Sequence, residues 1–272
     1  MSTAPLTAAE LRPRGGSRLY WAIADAAVLA RRHLIEIPRI PELLVFATVQ
    51  PVMLVLLFRY VFGGAIDTGD VSYVNYLMAG IFVQTVAFGA VATGIGLAAD
   101  LQSGLIDRFR SLPMSRSAVL TGRTVADLVR NLFVVVIMLV VGVLVGFRSG
   151  ASAVDWAGAI GLLLLLSFAF SWIGATVGLL VRSVEAAQSG GFIWLFPLTF
   201  ASSAFVRPET MPGWLQTFAE NQPFSVIVNA VRALFLERPL GSDGWVALAW
   251  LLGLLAVFAP LSVRLYEKRT SH

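Results

Sequence analysis

Leu101-Gln-Ser-Gly-Leu-Ile-Asp-Arg-Phe-Arg-Ser-Leu-Pro-Met-Ser-Arg-Ser-Ala-Val-Leu-Thr-Gly-Arg123 is a compact charged segment set between two long apolar runs. A chain needs only a few polar residues to turn at a membrane surface, and this stretch holds many more. Asp107, Arg108, Arg110 and Arg116 are interleaved with Leu105, Ile106, Phe109 and Leu112. The pattern predicts a short amphipathic helix at the cytoplasmic face, shaped by Pro113 and presented for a soluble partner to grip. The plainer reading of its arginines is a basic flank between two membrane spans.

Working outward, composition sets the class. The chain is 57% hydrophobic and 13% charged, with a mean hydropathy of +0.80. Roughly 30 Å of hydrocarbon at 1.5 Å per residue requires about 20 apolar residues per span. Six such runs are present: Leu43 to Phe62, Tyr76 to Ala99, Val125 to Phe147, Trp156 to Val181, Ala186 to Val206 and Trp245 to Val263. The fourth and fifth are joined by only Arg182-Ser183-Val184-Glu185, which predicts a tight helical hairpin. The fold class is therefore an all-α integral membrane protein with six transmembrane helices.

Basic residues orient it. With both termini in the cytoplasm, only Arg59, Arg148, Arg207, Arg232 and Arg238 fall at the outer side, and the other fifteen of the twenty lie inside. That bias is the positive-inside signal, and it accounts for the pI near 10 without nucleic acid. Arg59 reads as a snorkelling residue at the outer end of the first span. The apolar stretch Trp21 to Leu29 is interrupted by Asp25 and ends at Arg31-Arg32, so no cleavable signal peptide is expected. The domain reading is a disordered tail over 1–16, an amphipathic interface helix over 17–38, the transmembrane domain over 39–266 and a cytoplasmic tail over 267–272. Within the transmembrane domain, residues 100–117 form the cytoplasmic loop. Residues 207–243 form an extracellular segment too polar for a span and too apolar for a free loop. Pro212-Gly213 and Asn221-Gln222-Pro223 punctuate it into two short helices, near Trp214 to Glu220 and Phe224 to Glu237.

Catalytic chemistry is thinly provided. Lys268 is the sole lysine, so no Gly-x-x-x-x-Gly-Lys phosphate loop exists. His33 and His272 are the only histidines and cysteine is absent, so neither a zinc site nor a disulfide is expected, and no histidine base falls within the spans. No carboxylate is expected at mid-span in the second to sixth spans, which disfavours ion-coupled transport. The chain thus conducts passively or is driven by another subunit. Arg123, Asp127 and Arg130 follow helical spacing and can pair along one face of the third helix as a structural ion cluster. Gly89, Gly94, Gly96, Gly174 and Gly178 supply small surfaces for close helix packing. Phe82, Phe88, Phe192, Trp194 and Phe196 are candidate pathway-lining residues, with packing or lipid contact as their plainer role.

The segment from Gly104 to Asp127 resembles the hallmark loop of type-2 ATP-binding-cassette exporter permeases, and is especially similar to the daunorubicin-resistance permease group. Phe196-Pro-Leu-Thr-Phe-Ala-Ser-Ser-Ala-Phe-Val-Arg-Pro-Glu-Thr-Met-Pro-Gly-Trp-Leu215 resembles that group's fifth span and extracellular segment, and Asn221-Gln-Pro-Phe-Ser with Val231-Arg-Ala-Leu the piece before its last span. The resemblance runs from about Pro38 to Arg264. It implies that two permease copies, identical or paralogous, pair in a bacterial inner membrane, each on a cytosolic ATPase that carries the ATP and magnesium; this chain holds no cofactor. It also implies that the loop is a coupling helix, whose contacts would be Asp100, Leu105, Asp107, Arg108, Phe109, Arg110 and Pro113. Asp100 stands where many relatives have glutamate. The implied cargo is a hydrophobic drug or lipid-like molecule exported outward. A glycolipid or polysaccharide exporter is the nearest alternative, and a non-transporting scaffold or a passive channel lies further off.

Overall fold

The computed structural model describes residues 18–36, 41–66, 68, 71–104 and 116–270. All regular structure among the described residues is helical: α1 (Arg18–Glu36), α2 (Pro41–Leu56) running into a π-helical stretch (Leu57–Phe62), α3 (Tyr73–Gln102), α4 (Arg116–Val145), α5 (Ala153–Leu180), α6 (Val184–Phe200), a 3-10 turn (Pro208–Thr210), α7 (Gly213–Asn221), α8 (Pro223–Phe235) and α9 (Asp243–Thr270). Serines start several of them. The Ser72 side chain accepts the Asn75 amide at α3, Ser183 does the same for Ala186 at α6, and Ser152 with Asp155 forms a full capping box at α5.

Among the described residues, four helices are long and apolar enough to cross a membrane: α3, α4, α5 and α9. The expected first and fifth spans are shorter. The first is 16 residues of α2 followed by six π-helical residues, together roughly 30 Å. It stops at Gly63, where a Cβ would collide with the Arg59 carbonyl. The fifth ends at Phe200 rather than Val206: the Ala201 amide closes the last turn on the Pro197 carbonyl, and the chain bends through residues 201–206. Conversely, α4 begins at Arg116, nine residues ahead of the expected start, so Arg123, Asp127 and Arg130 lie in the body of the helix and not at its mouth. Asp127 is therefore a buried carboxylate in the body of α4.

Helices α3 and α5 form the centre and are mostly buried, whereas α4 and α9 turn most of their apolar surface outward. The α3–α5 crossing is backbone on backbone. A Cβ on Gly174 or Gly178 would overlap the carbonyls of Ala90 or Gly94, and one on Gly94 would lie 2.6 Å from the Gly174 oxygen. In a membrane, where lipid is as apolar as leucine, such close approach supplies the dispersion energy that holds helices together. At the near end, where residues 103–115 join α3 to α4, Leu97, Leu120, Leu179 and Tyr266 form one cluster, to which α1 adds Leu29. Arg269 of α9 donates to the Leu180 and Val181 carbonyls and caps the open end of α5. At the far end α8 packs among α3, α5 and α9 around Phe82, Phe147, Phe224 and Phe235.

One strained residue marks the end of α8. Glu237 has φ +52° in the left-handed position that glycine usually fills, and the next amide, Arg238, reaches back to the Ala233 carbonyl. Glu237→Gly is expected to stabilise the chain by up to about 1 kcal/mol, read as a higher melting temperature in detergent. A lower one would mean that the carboxylate's packing beside Gly150 outweighs the strain.

Candidate functional site

Of the expected coupling contacts, Leu105, Asp107, Arg108, Phe109, Arg110 and Pro113 lie outside the described residues. What the structure describes is the hairpin that carries them. Three polar ties join α3 to α4 at successive levels below the loop. Asp100 pairs with Arg123. One helical step deeper, the Thr93 hydroxyl donates to Asp127 at 2.5 Å, and Asp127 also pairs with Arg130 at 3.0 Å. Deeper again, Arg130 donates to the Gly89 carbonyl at 3.1 Å. The expected intrahelical cluster is thus divided: Asp127 and Arg130 pair on one helix, whereas Arg123 reaches across to Asp100.

Glycine makes the ties possible. A Cβ on Gly89 would meet the Asn131 amide group, and one on Gly96 would overlap the Arg123 guanidinium. Asn131 in turn donates to Ser167 of α5 at 2.8 Å, and Thr93 lies 3.4 Å from Ser171. The α3–α4 hairpin is therefore hydrogen-bonded to the central helix as well. Asp127, Thr93, Asn131 and Ser167 are all buried and all hydrogen-bonded, as apolar surroundings demand, while the Arg123 Nε is left without an acceptor.

The aromatic candidates fall into two groups. Phe88, Phe192 and Phe196 meet at centroid distances of 5.4–5.8 Å. The row continues through Phe200, stacked on Phe196 at 5.5 Å and on Phe205 at 5.3 Å, to Phe58 at 4.6 Å and Phe62 at 5.4 Å. This aromatic ladder follows the outward face of α6, where Phe196 and Phe200 are 43% and 44% exposed. Phe82 and Trp194 do not belong to it. Phe82 is fully buried against Phe147 and Phe235, and Trp194 turns to Phe170 of α5. Phe58, Phe200 and Phe205 were not anticipated, although the spacing Phe192, Phe196, Phe200 is a helical stripe that the sequence displays.

No group of three or more potential metal ligands occurs among the described residues.

The chain matches the family described as ABC-2 type transporter over residues 25–236. It is 34% identical over 259 residues to the daunorubicin resistance ABC transporter permease protein DrrB1 of Streptomyces coeruleorubidus, covering 94% of this chain and 92% of that protein. It is 26% identical over 267 residues to the probable doxorubicin resistance ABC transporter permease protein DrrC of Mycobacterium tuberculosis, covering 95% and 93%. It is 27% identical over 233 residues to a putative transport permease of Porphyra purpurea, covering 79% and 75%.

Proposed function

We propose, because the chain belongs to the ABC-2 type transporter family, that it is the permease subunit of an ATP-driven exporter that carries a hydrophobic drug out of a bacterial cell. The observation that carries this reading is the aromatic ladder on the outward face of α6. Flat apolar rings offer π-faces to a planar apolar cargo without demanding a fixed hydrogen-bond pattern. Relatives named for daunorubicin and doxorubicin resistance support the cargo class.

ATP hydrolysis belongs to a separate cytosolic subunit, which would grip residues 105–115 at the near end of the molecule. That end is cytoplasmic in this reading, with both termini on the same side of the inner membrane and six crossings in all. Helix α1, whose exposed side carries Ile23, Val28 and Ile35 together with Arg31 and Arg32, would lie along the inner leaflet. A second permease copy would face α6 and α2. Gln188 and Ser189 on α6 and Gln50 on α2 are exposed, and exposed polar side chains on apolar helices suit a protein partner or a watered path better than lipid.

The test is reconstitution with the ATPase and ATP-dependent uptake of daunorubicin into inside-out vesicles. Asp107→Ala/Arg108→Ala/Arg110→Ala is expected to lose the complex, or to lose drug-coupled hydrolysis while the helices stay folded. Flux that persists without ATP would point to a passive channel. A triple variant that binds, hydrolyses and transports like the parent would remove the loop from the mechanism.

A further inference from the structure

Residues 201–206 are the non-helical end of the α6 segment, and they are buried: Ser202, Ser203, Ala204 and Phe205 are between 0 and 3% exposed. Backbone carbonyls in such a place need donors from elsewhere. Side chains of α3, of α8 and of the linker before α8 supply them. The Ser203 carbonyl accepts from the Tyr76 hydroxyl at 2.8 Å and from Arg232 at 2.7 Å. The same Tyr76 hydroxyl lies 3.1 Å from the Val206 carbonyl. Gln222 donates to the Leu198 and Ala201 carbonyls, each at 2.7 Å.

Arg232 is the unusual member. Its guanidinium is buried, lies 3.7 Å over the Tyr76 ring, and is held by neutral acceptors, with Asn229 at 2.9 Å and the Tyr76 carbonyl at 3.2 Å. A planar fork that bonds three acceptors and stacks on a ring fits this task, and a lysine would not. Underneath, the Ala204 backbone rests on Gly80, where a Cβ would collide with it. The segment is thus clasped between α3 and α8 by side chains, the Ser203 amide donating to Ser225 at 3.0 Å and the Ser203 hydroxyl to Asn229 at 2.8 Å, and no helical ladder binds it. The aromatic ladder also passes through it: the Phe205 ring stacks between Phe200 and Phe58, while the clasp holds the carbonyls on either side of it.

From this we infer that Tyr76 and Arg232 are positioning residues of a gate. They hold residues 201–206 shut against α3 and α8 where the aromatic ladder passes through Phe205, and the segment lifts off them once per export cycle. Side-chain bonds to carbonyls can part and re-form without unwinding a helix, whereas the Gly80–Ala204 contact seals the closed state. The inference rests on the transport reading above.

The chain has no cysteine, so a single introduced thiol reports cleanly. Ser203→Cys, and separately Ala204→Cys in case the first folds poorly, would be placed in the permease–ATPase complex in lipid and exposed to a membrane-impermeant maleimide. The labelling rate tracks the open population. Without nucleotide the thiol is expected to stay unlabelled, and ATP turnover is expected to raise the rate at least about tenfold. Tyr76→Phe keeps the ring under Arg232 but removes the hydroxyl. It is expected to raise labelling without nucleotide about two- to tenfold, the effect of one lost hydrogen bond. A purely structural role would lower yield and leave labelling independent of ATP. ATP-driven daunorubicin uptake with both thiols protected throughout would overturn the gate. Nucleotide-dependent labelling without daunorubicin uptake would support the gate and overturn the cargo assignment instead.

Discussion

Replacing Gly174 by valine is expected to eliminate the folded protein, whereas the same change at Gly161, on the same helix, is expected to pass almost unnoticed. At Gly174 a Cβ overlaps the carbonyl of Ala90, while at Gly161 nothing lies within 4 Å. The obstacle at Gly174 is backbone, which cannot rotate away as the tip of a side chain could. Overpacking typically costs about 1–3 kcal/mol, and more where helices must separate. Parting α3 from α5 would also weaken the neighbouring contacts of Gly94 with Gly174 and of Gly178 with Gly94. The Gly174→Val cost is therefore set at about 3 kcal/mol or more, and that of Gly161→Val at within about 0.5 kcal/mol. Yield of monodisperse protein and melting temperature in one detergent distinguish the two. Matching values for both variants would mean that the helices do not cross in this way.

The feature behind that prediction was legible in the sequence, because small residues in apolar runs have few uses other than close packing. The four long apolar helices were legible too, since each apolar run is separated from the next by residues that lipid will not hold. The end of the fifth span was not. Phe200-Ala-Ser-Ser-Ala-Phe-Val206 is apolar enough to continue a membrane helix, and nothing in its composition marks where the ladder of hydrogen bonds stops. The aromatic candidates divide into two groups for a geometric reason. Phe82 is six residues from Phe88, about 240° around a helix, and Trp194 is two from Phe192, about 200°. Both therefore face away from the stripe they were grouped with, and the period of the helix alone would have separated them.

Partners across the fold left weaker traces. Arg123 has Asp127 four residues on, the pairing that local spacing favours, yet it takes Asp100, which only the packing of α3 on α4 brings close. Tyr76 and Arg232 are 156 residues apart. The one sequence cue to their clasp is an arginine in an otherwise apolar short helix, where a charge is costly unless its surroundings are built for it. The chemistry of the site was therefore readable as residue types, and its pairings only from the folded chain.

The Asp127–Arg130 pair carries the second large prediction. Their side chains are 9% and 18% exposed, and Asp127 also accepts from Thr93. Asp127→Ala would leave a guanidinium in an apolar setting with the Gly89 carbonyl as its remaining acceptor, and would strip the Thr93 hydroxyl of its carboxylate. Breaking a buried pair from one side costs about 3–5 kcal/mol, more than the pair adds as a whole. Asp127→Ala is therefore expected to melt well below the parent. Arg130→Ala should cost less, because Thr93 still donates to the carboxylate. The double variant should recover part of the loss, since no lone charge remains. Asp127→Asn keeps the shape and an acceptor for Thr93, and should fall between parent and Asp127→Ala. The ordering of these four melting temperatures is the test, and a double variant less stable than Asp127→Ala would show that the two residues do not act as a pair. A functional consequence follows from their place in the hairpin. If the ties make α3 and α4 one body, Asp127→Asn, still folded, should hydrolyse ATP with its partner subunit at near the parental rate while moving less drug per ATP. Parental coupling in that variant would leave the pair a purely structural role and place the transmission of force elsewhere in the hairpin.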